Sequence, residues 1–315
     1  ISIQLIQREL RAPGFKVNTS DGRQLKNYRY GKHFSGKILG NDRSIAAFSL
    51  GSRGLSGFYA DINGNKLVEP VPGKSGVYVL YNDTDLTDKR PVGCATLDTG
   101  LQNSFSQAVA QGKLTSTCKV VKMYIECDYS LYQFYNGNID ELINFVFGLF
   151  NAASTIFSND GINIQLSELF IWTKPDIYTM APDASTAARI LSNRLSKEYR
   201  RGMLMNAEIG HLLSARNLNG GAATRIGMDD GCNQVSGNFT SAASGLLTPF
   251  APFPSYSRTV FLFTHETGHM MGSPHTQSCG WPGGAIDNCA QPEGPCAPGP
   301  APVNGGTIMS YCQST

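Results

Sequence analysis

Residues 1 to about 92 alternate apolar and polar positions in short runs broken by turn residues. Runs at 45–50, 57–61 and 76–81 read as strands, and Asn63-Gly64 between two of them reads as a hairpin turn. The pattern predicts a small β-rich module. From about 97 to 117 the chain turns rich in Gly, Ser and Gln with little periodicity, which predicts a linker and places the domain boundary there. Beyond it the period switches between strand and helix. Residues 120–126 read as a strand. In 138–157 apolar residues recur at 139, 142, 143, 146, 149, 150 and 153, the spacing of a buried helix face, with Asp140 and Glu141 in the first turn. Ile162, Ile164 and Leu166 alternate with polar residues as a second strand. Asp183 can cap a helix running to about Arg200, and 203–209 reads as a third strand. A βαβαβ order implies parallel strands with right-handed helical crossovers, hence an α/β core. The organisation expected is a β-rich unit at 1–117, linker included, and an α/β unit at 118–315.

Composition narrows the class. The 315 residues are 41 % hydrophobic and only 16 % charged, with 34 glycines and 16 prolines, as in a folded, turn-rich chain. The net charge is +2 without a run of five like charges, which argues against nucleic acid as a partner. Divided at the boundary, residues 1–117 carry 15 Lys and Arg against 9 Asp and Glu, a net of +6, and the remainder a net of −4. Either chance or docking of the first unit on the second through complementary potentials accounts for the split, and docking of that kind would weaken with salt. The longest apolar runs fall short of the roughly 18 residues that span a bilayer, so no membrane span is expected. Eight cysteines without zinc-ribbon spacing favour disulfides and an oxidising, extracellular location, and the absence of a leader after Ile1 fits a removed secretory signal. Asn18, Asn82 and Asn238 head glycosylation sequons.

Three of the five histidines fall within eleven residues, His265-Glu-Thr-Gly-His-Met-Met-Gly-Ser-Pro-His275. His265 and His269 at i and i+4 project from one helix face about a turn apart, so both imidazoles can grip one metal ion. Glu266, one position on, can reach water at that metal without being a ligand, the place of a general base. Gly272 can adopt a positive φ that stops the helix, and Pro274 discourages continuation, so His275 can swing back as a third ligand. Three His ligands leave one position open, which points to catalytic zinc rather than to a closed structural site.

At this point the chain resembles the metzincin zinc endopeptidases, whose signature is H-E-x-x-H-x-x-G-x-x-H followed by a turn containing Met. Residues 306–312, Gly-Thr-Ile-Met-Ser-Tyr-Cys, resemble that turn, which implies that Met309 forms a hydrophobic floor beneath the zinc. Tyr311 matches the position of a tyrosine near the zinc in astacin- and serralysin-type members, as oxyanion stabiliser or cleft wall. Within the metzincins, residues 119–315 look most like the reprolysin/adamalysin (ADAM-type) branch. The stretches that carry this likeness are 122–129, 135–138, Ile171-Trp172 and 211–213. The resemblance implies a mostly parallel twisted sheet with an antiparallel edge strand, an active-site helix and a Met-turn. It places the substrate-binding edge from Asn219 through Cys232, with an extended polypeptide pairing around 222–227, and bridges Cys232 to Cys312. Two residues depart from the branch. Thr276 stands where Asp is usual, and Lys122 replaces an acidic residue associated with calcium, so zinc is the expected cofactor and calcium is doubtful.

Residues 28–81 resemble reprolysin prodomains, and Pro91-Val-Gly-Cys94-Ala-Thr96 resembles the inhibitory cysteine switch of those prodomains. A Cys94 thiolate, a soft zinc ligand, could fill the open position and keep a zymogen latent until the linker is cut. A Cys94–Cys118 bridge would instead balance the cysteine count, and Asp98 could act as a carboxylate ligand. The expected function is a secreted, zinc-dependent endopeptidase inhibited by its own prodomain. The alternatives are a secreted binding protein with a relic metal site and a zinc amidase acting on a non-protein amide.

Overall fold

The structure, a computed structural model, describes residues 1–86, 93–96, 120–201, 206–228, 239–246, 256–303 and 305–312. The whole of the expected linker at 97–117, Asp98 included, and Cys118, Cys232 and Asn238 lie outside the described residues. Two sheets organise the rest. The first is antiparallel and six-stranded, in the order β1 (Ile3–Gln7), β4 (Lys32–Ile38), β5 (Ile45–Gly51), β6 (Gly54–Asp61), β7 (Gly64–Pro70) and β8 (Tyr78–Asn82). Asp61 faces Gly64 across a two-residue hairpin, and Gly64 takes the positive φ, 102°, that this turn needs.

The second sheet has seven strands in the order β12 (Gly221–Ala223), β13 (Thr240–Gly245), β11 (Ile209–Ser214), β9 (Val121–Cys127), β10 (Ile164–Ile171), β2 (Arg11–Thr19) and β3 (Gln24–Leu25). The strands β13, β11, β9, β10 and β2 run parallel, and β12 and β3 are antiparallel at the two edges. The sheet is therefore not built from the second unit alone. The β2–β3 hairpin of the first 25 residues completes it beyond β10, a pairing between segments about 150 residues apart that local periodicity cannot register. A second difference lies in the third strand. Of the stretch 203–209, residues 203–205 lie outside the described residues, 206–208 are not strand, and β11 begins at Ile209. All six of its residues are buried between two parallel neighbours, so it reads as a continuous run, with buried His211 masking the apolar signal.

The helices follow from local sequence. Two precede the last pair: α1 (Tyr129–Phe134), capped by Asp128, and α2 (Ile139–Asn159), whose N-cap Asn138 accepts from the Glu141 amide. Helix α2 is apolar enough by length and composition to cross a membrane, but it is a core helix packed between the two sheets. It buries Ile143, Phe147 and Phe150, each contributing roughly 1.5–3 kcal/mol by leaving water, and the Phe147 ring packs on Phe15 of β2 and His33 of β4. Toward β4 and β5 the Asn151 amide donates to Phe34 O and Phe48 O, both at 3.1 Å. A helix with sheets on two sides has no polar face to show. Helix α3 (Ala184–Arg200), capped by Asp183, packs against β11 and β13 and builds a second apolar cluster with Leu191, Leu195, Leu212 and Ala243. Helix α4 (Tyr256–Met270) lies beside α2 and runs against β12 and β13, which brings its C-terminal half to the sheet edge.

Candidate active site

The last two turns of α4 carry His265, Glu266 and His269, all buried. Gly272, at φ 108°, ends the helix: its N–H donates to His269 O and the Ser273 N–H to Gly268 O, the paired bonds of a left-handed helix stop. The chain then reverses and returns His275 to the two helical imidazoles. His269 Nε2 lies 3.2 Å from His265 Nε2 and 3.1 Å from His275 Nε2. On the far side of each ring an acceptor fixes the proton on Nδ1: Ile308 O at 2.7 Å for His265, Ser273 O at 2.8 Å for His269, and Glu293 Oε1 at 2.8 Å for His275. Three Nε2 lone pairs consequently converge on one point, an arrangement that repels itself unless a cation is shared. Burial holds His265 down at about 3 and lowers His269 as well, keeping both neutral and able to ligate. Nitrogens about 2.0–2.1 Å from a tetrahedral zinc stand about 3.3 Å apart, so the donor set fits zinc.

Cys94 Sγ adds a fourth donor 3.4 Å from His269 Nε2, and the four ligand atoms lie within 4.8 Å of one another. Cys94 carries a free thiol, as does buried Cys127, so no Cys94–Cys118 bridge forms. Burial, then the neighbouring Glu266 carboxylate, pushes the Cys94 thiol up. A cation among the imidazoles would make a thiolate favourable there. Glu266 sits beside this cluster rather than in it. Burial raises its carboxyl to about 8, Oε2 accepts from the Thr96 hydroxyl at 3.2 Å, and Oε1 is buried without a hydrogen-bond partner among the described residues. The edge strand β12 runs hard against it, since a Cβ on Gly221 would come within 2.5 Å of Glu266 Cγ and Oε1.

Met309 is buried under α4, with Sδ where a Cβ on Gly268 would come within 2.5 Å. Tyr311 Oη lies 3.5 Å from both His275 Nε2 and Cys94 O. The turn is tied down from two sides: Thr276 N–H donates to Met309 O (3.2 Å), and the Ser310 hydroxyl donates to Asp287 (2.7 Å). One pairing needs correction. Cys312 is bridged to Cys289, not to Cys232, because the 276–303 loop folds back beside the turn and brings the two α-carbons to 5.1 Å. Cys279 pairs with Cys296. Lys122 Nζ lies 2.7 Å from Asn206 Oδ1 and 3.8 Å from Glu208, so an ammonium fills that corner. Glu293 and Thr96 escaped sequence reasoning. Glu293 stands 18 positions beyond His275 in an irregular loop, with no spacing signal, and Thr96 is visible only as a neighbour of Cys94.

The family description Reprolysin_5, Metallo-peptidase family M12, matches residues 117–315. The zinc metalloproteinase-disintegrin-like kaouthiagin-like of Naja atra is 23 % identical over 298 residues, covering 90 % of this chain and 45 % of that protein. The snake venom metalloproteinase trimerelysin-2 of Protobothrops flavoviridis is 28 % identical over 163 residues, covering 50 % of this chain and 73 % of that protein. The chain thus spans less than half the length of the first of these relatives. Among solved structures, metalloproteinase-II from Bacteroides fragilis aligns at a TM-score of 0.43 and 12 % identity, covering 86 % of this chain and 77 % of that one, a likeness too low to build on. With the family description spanning most of the chain and containing all three histidines, this protein belongs to metallo-peptidase family M12 as a reprolysin-like metzincin.

Proposed function

We propose that the chain is a zinc-dependent endopeptidase, exported to an oxidising compartment and held latent by its N-terminal segment. The convergence of three Nδ1-anchored imidazoles beside a buried, unliganded Glu266 carries this reading. His265, His269 and His275 would hold the metal. Zinc bound there supplies a Lewis acid for the scissile carbonyl and lowers the pKa of water. Glu266 takes the proton of the attacking water and returns it to the leaving amine, and its apolar setting keeps its proton affinity near that needed at neutral pH. Gly221 to Ala223 offer an edge for an extended polypeptide, which gives main-chain hydrogen bonds and leaves selectivity to side-chain pockets. Tyr311 Oη faces the same space as a donor to developing oxyanion charge, and Met309 closes the floor.

Latency is supported by Cys94, whose sulfur faces the three imidazoles while its backbone pairs with Gly221 on the substrate edge. The two disulfides among the described residues and the venom relatives support export. The test is hydrolysis of casein with and without a chelator, using chain cut in the linker and diluted. Chelator-sensitive cleavage restored by zinc is expected, and cleavage indifferent to chelator would defeat the reading.

A further inference from the structure

Residues 93–96 touch both halves of the proposed chemistry. The Gly221 N–H donates to Gly93 O and the Ala95 N–H to Gly221 O, each at 2.9 Å, laying the segment parallel to β12. Cys94 then aims its sulfur at His269 Nε2. Two residues on, an extended chain presents its side chain to the same face. There the buried Thr96 hydroxyl donates to Glu266 Oε2 at 3.2 Å and accepts the Ala223 N–H at 2.7 Å. The Thr96 N–H points back at Cys94 Sγ from 3.4 Å, a donor that favours charge on the sulfur.

We propose that Thr96 is the second half of the latch: its hydroxyl occupies both the Glu266 carboxylate and the Ala223 N–H that an extended substrate would use. This deepens the latency reading and rests on it. A hydroxyl is suited to the place because it donates and accepts at once. Valine keeps the shape and loses both bonds, whereas serine keeps both. Latency is accordingly shared between thiol and hydroxyl, and removing Cys94 alone leaves the base still covered. Each half also steadies the other, since the two are two residues apart on one strand.

The experiment compares uncut full-length chains carrying Thr96→Val, Thr96→Ser, Cys94→Ala and Cys94→Ala with Thr96→Val, with linker integrity checked on gels before and after each assay. Two quantities are read: the initial rate on a quenched fluorescent peptide, and the rate of Cys94 alkylation by iodoacetamide, mapped by mass spectrometry with buried Cys127 as internal reference. Thr96→Val should raise the initial rate about tenfold or more, the scale of a lost hydrogen bond to a charged group, and should speed Cys94 alkylation. Thr96→Ser should return both near the parent, and the double variant should exceed Cys94→Ala by a similar factor. If Thr96→Val is as latent and as slowly alkylated as the parent, or if the double variant is no faster than Cys94→Ala, the proposal fails. It fails too if Thr96→Ser behaves like Thr96→Val, because packing rather than hydrogen bonding would then be responsible. An uncut parent as active as the cut and diluted chain would instead overturn the latency reading, and this inference with it.

Discussion

Glu293 accepts from the His275 Nδ1–H and from the Gln277 amide at 3.0 Å, whereas His265 and His269 lean on main-chain carbonyls that no substitution removes. Among the described residues it is therefore the one side chain that accepts from the Nδ1 of the three clustered imidazoles. Glu293→Ala should cost about 10–100-fold in zinc affinity, measured by chelator competition, and Glu293→Gln less, because an amide oxygen still accepts. His211 makes a different demand. It is buried in β11 between the Ser244 and Thr267 hydroxyls, and burial holds it at about 3 against an ordinary value of 6.5. A histidine depressed in the fold contributes stability that is complete above its unfolded value and is lost as pH falls from about 6.5 toward 3. Urea titrations of the parent between pH 6.5 and 4 should therefore fall more steeply than those of His211→Gln, by up to about 1.4 kcal/mol per pH unit. Among these residues the sequence is uneven. The three clustered histidines stand out because their spacing is local, but His211 sits in the third strand with nothing nearby to say what it touches.

At the scale of elements, α4 works because both faces of its last turn are specified. Gly268 leaves room for the Met309 sulfur beneath the helix, and Gly272 supplies the left-handed stop that returns His275. Gly268→Ala forces a methyl to within 2.5 Å of that sulfur, so the Met309 turn must shift. The cost of such overpacking is about 1–3 kcal/mol, read as a lower melting temperature, and weaker zinc retention should accompany it. Helices α2 and α3 were readable from the sequence because an N-cap and an apolar period are carried within each segment: Asn138 and Asp183 both accept from the backbone three residues on. A hairpin near Asn63-Gly64 was readable from its turn residues, although the loop is Ile62 and Asn63 and Gly64 already opens β7. The 289–312 bridge was not, because it depends on how the 276–303 loop, rich in Gly, Pro and Cys and almost without period, packs against the turn.

For the molecule as a whole, the first 86 residues hold on to the rest through the sheet and the core. Strand β2 pairs parallel with β10, the first sheet buries one side of α2, and polar contacts such as Arg53–Glu141 and Asn18–Glu168 lie at the margin. None of this shows in a local reading, which marks the strands of the N-terminal segment but not that one of them completes the other sheet. A cut within 97–117 should therefore leave two pieces that co-elute at micromolar concentration. Because strand pairing and apolar burial carry the contact more than exposed charge, the pair should stay together at about 1 M salt, where the screening length is about 3 Å. Scission removes only the effective concentration that tethering provides, so activity per molecule should rise as the cut chain is diluted. Equal specific activity at every dilution would argue against docking of this kind. The most direct test of the central claim is casein hydrolysis by zinc-loaded, linker-cut, diluted chain, side by side with Glu266→Ala prepared the same way and assayed for zinc. The account predicts full zinc in both and a loss of turnover by several orders of magnitude in the variant. Near-parental hydrolysis by a zinc-loaded Glu266→Ala chain would contradict it.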